Sequence, residues 1–255
     1  MNVINFKSLS NLSIWVDPLP IILSNLMISI LQENDDIEIQ FIDSNNSFPI
    51  NQFQKIIQNK DIDSRIYERV RISTCLDLNE LKIISDRLVQ INNIRKIRHE
   101  QKKINRKNES NNITKDINNE DSTKDSNDNA NNSNILNKSD TPSFLFISGL
   151  DVMFRNTQLG KSAEEAHSLL KECLLKLRIV GNTIIDDQFF LRTIIGFPIN
   201  ELAVPESNSN HTFSGSYKSI DKIGNKRVRR SLKGNTLGEY VSKYFSDKTL
   251  SDKDF

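Results

Sequence analysis

Seven cations stand in the 16 residues from Lys218 to Lys233: Lys218, Lys222, Lys226, Arg227, Arg229, Arg230 and Lys233, against the single acid Asp221. This net +6 lies on a stretch flanked or punctuated by Gly215, Gly224 and Gly234, with Phe213 and Tyr217 just before it. Cations on a pliant backbone can neutralise several phosphates at once, and nearby aromatics can stack on bases. The same cluster suits a nuclear-import signal, or simply a solvated loop. The residues alone leave all three readings open.

A second candidate is Phe48, beside Pro49 in the polar stretch Ser44-Asn45-Asn46-Ser47. A large aromatic exposed in such a loop is uncommon and often anchors a partner. Partner contact is therefore expected at Phe48, the alternative being a ring tucked back into the core.

The remaining side chains assemble no catalytic set. A P-loop wraps phosphate in glycine-rich backbone and adds a lysine and a Ser/Thr hydroxyl. The natural place is the loop after the strand Ile37–Asp43, which holds neither glycine nor lysine between Ser44 and Ile50. Gly160-Lys161 lacks the upstream glycine, and there is no G-x-G-x-x-G. Cys75 and Cys173 each stand alone in apolar surroundings, the pattern of buried free thiols rather than a disulfide framework or zinc motif. His99, His167 and His211 have no acid or cysteine at metal-ligand spacing. No catalytic residue, metal ligand or cofactor is expected.

The elements that must carry these groups follow from composition and periodicity. The chain has 255 residues, 34 basic and 33 acidic, and is 36% hydrophobic. A net charge of +1 gives no overall field for a polyanion, so nucleic-acid affinity must be local. No apolar run has membrane-span length and no leader pattern is visible, so a soluble intracellular protein is expected. Strands are expected at 12–16, 37–42, 67–74, 144–147 and 189–197. Helices are expected at 20–32, 51–58, from the cap Asp77 to Ile97, from the cap Ser162 to Gly181, and at 236–245. Strands alternating with helices imply an α/β fold with a mainly parallel sheet flanked by helices. The run 105–137 holds 12 asparagines, with nearly balanced charges and little apolar surface to offset ordering entropy. The expected organisation is one α/β domain in two parts, 1–98 and 142–204, interrupted by a disordered Asn-rich insertion at 99–141. A basic flexible loop and C-terminal helix follow at 205–255.

Four blocks add a resemblance: 41–55, 65–81, 148–156 and 174–182. They are similar to the meiotic chromosome-segregation (Csm) subunits of the budding-yeast Shu complex. The basic tract and the closing Gly-Glu-Tyr-Val-Ser-Lys-Tyr-Phe at 238–245 match that family's C-terminus in order and character. The resemblance implies a diverged recombinase paralogue with a RecA-like core that lacks a P-loop. It aligns Ser148 with the position where a recombinase holds a magnesium-linked aspartate, which a hydroxyl cannot replace. It implies a non-enzymatic DNA-binding subunit, nuclear with a cytoplasmic location as the alternative, paired with a second recombinase-like subunit within a heterotetramer. Such a complex promotes recombinase filament assembly with the recombinase paralogue heterodimer, in homologous recombination, error-free damage tolerance and meiosis. It binds single-stranded and forked DNA. DNA contacts carried over by position fall on Lys226, Arg227, Arg229 and Arg230, with Val228 interrupting the cluster. The competing expectations are a protein scaffold whose tract serves only import, and a degenerate nucleotide hydrolase.

Overall fold

Apolar side chains at every second position commit a strand to two environments, and here they divide between two cores. The structure, a computed structural model, describes residues 9–33, 35–112, 143–185, 188–202 and 236–255. Its main sheet is built from β1 (Leu12–Val16), β2 (Glu38–Asp43), β3 (Val70–Thr74), β4 (Ser143–Ser148), β7 (Leu191–Phe197) and β8 (Lys248–Leu250). They lie in the order β3-β2-β4-β7-β1-β8, and every pairing is parallel. In β4, Leu145 and Ile147 enter one core while Phe144 and Phe146 enter the other. That is the double covering expected of an uninterrupted apolar run.

The helices sort by the direction of each crossover. α1 (Pro20–Glu33) and α2 (Ile50–Asn59) follow the two steps toward β3, and both pack in the core of Trp15, Phe41 and Phe146. α3 (Leu78–Asn112), α4 (Leu150–Gly160), α5 (Ala163–Gly181) and α6 (Leu237–Tyr244) follow the steps back and share the opposite core. A single crossover hand puts opposite steps on opposite faces. The expected α/β class, with a mainly parallel sheet flanked by helices, is what the structure shows.

Local signals explain most boundaries. Ser162 accepts the Glu165 N–H while the Glu165 carboxylate takes the Ser162 N–H at 2.9 Å, a complete capping box. At α3 the box is incomplete. Asp77 takes the Glu80 N–H at 3.0 Å, but the Glu80 carboxylate reaches the Leu76 N–H at 2.6 Å instead.

The structure departs from the expected elements in several places. Ser64–Arg69 is a 3-10 turn, and the strand begins only at Val70. α4 starts at Gly149, a left-handed cap (φ 80°) with no side-chain bond, so no cap residue announces it. A small antiparallel hairpin, β5 (Ile184–Ile185) with β6 (Gln188–Phe189), precedes β7. Tyr244, which the periodicity of the expected helix at 236–245 puts on its buried face, is exposed. α3 does not stop near Ile97; it runs to Asn112, through the first residues of the expected insertion. That stretch has no Gly or Pro and is rich in Lys, Arg, Gln and Glu, which favour helix even without a core to cover. The rest of the insertion, from 113, lies outside the described residues. Among the described residues no helix is long and apolar enough to cross a membrane.

Candidate functional site

In an open parallel sheet, ligands bind beyond the carboxyl ends of the strands. Here the loop after β2 is folded around one of its own carboxylates. Asp43, buried at the end of β2, accepts N–H bonds from Asn45 (3.0 Å), Ser47 (3.0 Å) and Phe48 (2.9 Å). The Ser47 hydroxyl lies 3.1 Å from the same carboxylate and 2.7 Å from the Ser148 hydroxyl at the end of β4. One hydroxyl carries one hydrogen, so Ser47 donates to either Asp43 or Ser148 at any one time. Burial works to raise the Asp43 pKa, but the donors of Ser47, Phe48 and Asn45 together hold it below the ordinary carboxylate value. The loop thus spends on an internal anion the amides that a phosphate-binding loop would turn outward. The left-handed Asn46 (φ 54°) makes this curl possible. Gly149 closes it: a Cβ there would stand 2.8 Å from the Asn45 side chain.

The turn between β1 and α1 is equally unsuited to anions. It reads Asp17-Pro18-Leu19-Pro20, so two of its four residues have no N–H to give. The N–H of Leu19 points to the Asp252 carboxylate at 3.4 Å, and the Trp15 indole donates to the same oxygen at 2.9 Å. A cavity of about 60 Å³ remains above the sheet, lined by Trp15, Pro18, Phe41, Phe146, Ser148 and Gly196 among others. That is room for about two waters, well below the ~300 Å³ at the small end of ligand pockets. Asp151, one turn beyond Ser148, is buried and paired with Arg155. Among the described residues no group of three or more His, Cys, Asp or Glu is placed to hold a metal ion.

Phe48 is half-buried, which corrects its expected exposure. Its ring meets Phe41 edge-on at 5.1 Å and Phe53 at 5.8 Å. Since complete burial makes Phe→Ala cost about 3–5 kcal/mol, Phe48→Ala is expected to cost about half as much, roughly 2 kcal/mol. Urea denaturation would measure it, and an unchanged midpoint would show that the ring carries no packing load.

The other reactive side chains are quiet. Burial pushes the Cys75 thiol up to about 12 and the Cys173 thiol up to about 11, so both stay protonated and unreactive at neutral pH. His167 is half-buried, with its ring 4.7 Å from Tyr240 of α6. Burial, with Lys171 nearby, keeps it uncharged to lower pH than usual.

Lys218, Lys222, Lys226, Arg227, Arg229, Arg230 and Lys233 all lie outside the described residues, as do Phe213 and Tyr217. Two residues that organise the described edge, Asp43 and Asp252, are not among the candidates that sequence reasoning finds. An acid closing a strand and followed by Ser and Asn is an Asx-turn signal that could have marked Asp43. Nothing local marks Asp252, whose partners are more than 230 residues earlier.

A family model described as "Shu complex component Csm2, DNA-binding" matches residues 12–246. The chain is similar to "Chromosome segregation in meiosis protein 2" of Saccharomyces cerevisiae, 31% identical over 251 residues, covering 95% of this chain and 97% of the relative. It is also similar to the proteins of that name from Candida glabrata, at 28% identity over 83% of this chain and 79% of the relative. The Eremothecium gossypii protein of the same name is 26% identical over 82% of this chain and 84% of the relative.

Proposed function

Because the chain belongs to the Csm2 family of Shu complex components, we propose that it is a non-catalytic DNA-binding subunit of a nuclear recombinase-mediator complex. In this reading it pairs with a second recombinase-like subunit inside a heterotetramer. The complex assists assembly of recombinase filaments, with the recombinase paralogue heterodimer, on single-stranded and forked DNA. It serves homologous recombination, error-free damage tolerance and the meiotic chromosome segregation for which the relatives are named. The DNA contacts are Lys218, Lys222, Lys226, Arg227, Arg229, Arg230 and Lys233, and Phe48 contacts a protein partner.

The observation that carries the reading is the family match itself, which runs over both the α/β core and the basic tract and is described as DNA-binding. The carboxyl edge supports the non-catalytic half. Its loop amides turn inward to Asp43, its first turn has two prolines, and its strand β4 ends in a hydroxyl.

ATP is expected neither to bind nor to be hydrolysed. Purified protein copurified with its partners should give no magnesium-dependent phosphate release above a no-protein blank. Turnover that cofractionates with the complex, and that is lost in Asp43→Asn or Ser148→Ala, would favour the hydrolase reading. Phe48→Leu tests the partner role separately, because leucine keeps apolar packing while removing the ring. Copurification lost at near-parental stability supports a contact, and retained copurification assigns Phe48 to the loop alone.

A further inference from the structure

The second half of α3, like the tract at 218–233, is basic. From Lys96 to Lys107 the sequence holds Lys96, Arg98, Lys102, Lys103, Arg106 and Lys107 against Glu100, a net +5 in 12 residues; Arg95 just before them is buried, with its guanidinium over the Phe190 ring. All of them fall within the continuous helix Leu78–Asn112. The first half of α3 packs on α5, with Leu78, Leu81 and Leu88 buried. Beyond His99 the described positions lie on the surface: Glu100, Gln101, Lys102, Lys103, Ile104 and Asn105 are all exposed.

We propose that this outward half of α3 is a second nucleic-acid contact, a rigid basic rod that lies along the phosphate backbone. It rests on the DNA-binding reading above and extends it to a part of the chain outside the 218–233 tract. Helix geometry supports it first. From Lys96 to Lys107 the rise is about 17 Å, which matches about five phosphates of one duplex strand at 3.4 Å each. A helix also fixes its cations at set distances, so less ordering entropy is lost on binding than when a loop of the same charge is immobilised.

The apolar content of the helix decides the kind of polyanion next. An anionic bilayer would also draw a basic helix, but a helix lying in a membrane surface needs a broad face of Leu, Phe or Trp. The stretch from 95 to 112 has none of these; its apolar residues are Ile97 and Ile104.

The test uses the full chain copurified with its partners, a fluorescent oligo(dT) and a mixed-sequence duplex, titrated across salt. Lys96→Gln, Arg98→Gln, Lys102→Gln and Lys103→Gln together remove charge while keeping good helix formers. With about four fewer phosphates neutralised on the single strand, the slope of log K against log salt should become shallower by about 3. Affinity at low salt should fall by more than tenfold, with far-ultraviolet helicity unchanged. The companion variant neutralises Lys226, Arg227, Arg229 and Arg230, and the combined variant should lose both increments. If the helix variant matches the parent in affinity and slope while the tract variant loses binding, the rod is not a DNA contact and the DNA-binding reading stands. If the parent complex itself does not bind DNA, both readings fall. If the helix variant keeps parental DNA binding but no longer binds phosphatidylserine vesicles that the parent binds, the rod is a membrane contact and the proposal is overturned.

Discussion

Replacing Lys226, Arg227, Arg229 and Arg230 with alanine is expected to abolish most DNA affinity at physiological salt. If these four each neutralise one phosphate, the single-strand slope of log K against log salt loses about 3. Between 50 and 200 mM salt, a slope of that size corresponds to about 50-fold in affinity. Phosphate contacts carry no base information, so the loss should be equal for oligo(dT) and mixed sequence. Stability should hardly change if the tract is the solvated loop expected from its sequence, since surface charges contribute little to stability. Anisotropy titrations at several salt concentrations, with thermal melts alongside, measure both. Parental binding by this variant would remove the tract from the DNA interface and leave nuclear import as its use, which a reporter fused to the tract would then show.

Asp43→Ala should be the most destabilising of the substitutions considered. It removes the acceptor of three backbone N–H groups and of the Ser47 hydroxyl. A buried amide left unsatisfied costs about 1–3 kcal/mol. Asn45 and Ser47 are exposed, so part of the loop can turn to water, and the net loss is set at about 3 kcal/mol. Asp43→Asn should lose less, because one carbonyl oxygen survives while the amide group faces donors. The pH dependence follows from the direction of the shift. The Asp43 pKa is lower in the fold than its ordinary 3.8, so the unfolded chain binds the proton more readily. Its contribution is complete above about 3.8 and is lost as pH falls through the lower folded value. Urea midpoints at neutral pH and in acid check this, and a parental acid profile in Asp43→Asn would show that other groups set the acid limit.

The parts of the fold that could be read in advance are those where one local rule decides. The run Phe144–Ile147 is apolar at consecutive positions because β4 has helices on both sides. α5 starts at Ser162 because its cap and Glu165 satisfy each other. α4 and β8 escaped for the opposite reason. α4 begins on a left-handed glycine without a capping side chain, and β8 is three residues of which only Leu250 is buried. The candidate site was legible as charge at 218–233 but not as geometry. The basic half of α3 was hidden by averaging: the Asn-rich run from 105 mixes its last two cations with the acids that follow. Counting charge only along the helix separates them.

The position of β1 sets a schedule for the protein's birth on the ribosome. β1 is the first of the described strands to be made, yet both of its neighbours are late: Leu12 pairs with Thr193, and Ser13 with Lys248. At about 5–20 residues per second, the strand waits on the order of ten seconds or longer for its first partner. During that interval Leu12, Ile14 and Trp15 have no sheet to enter, although β2, β3 and β4 can already pair among themselves. An apolar strand held open for that long invites chaperones and aggregation alike. Slowing translation before residue 191 should therefore lower the soluble yield of this protein, whereas slowing it after residue 250 should not.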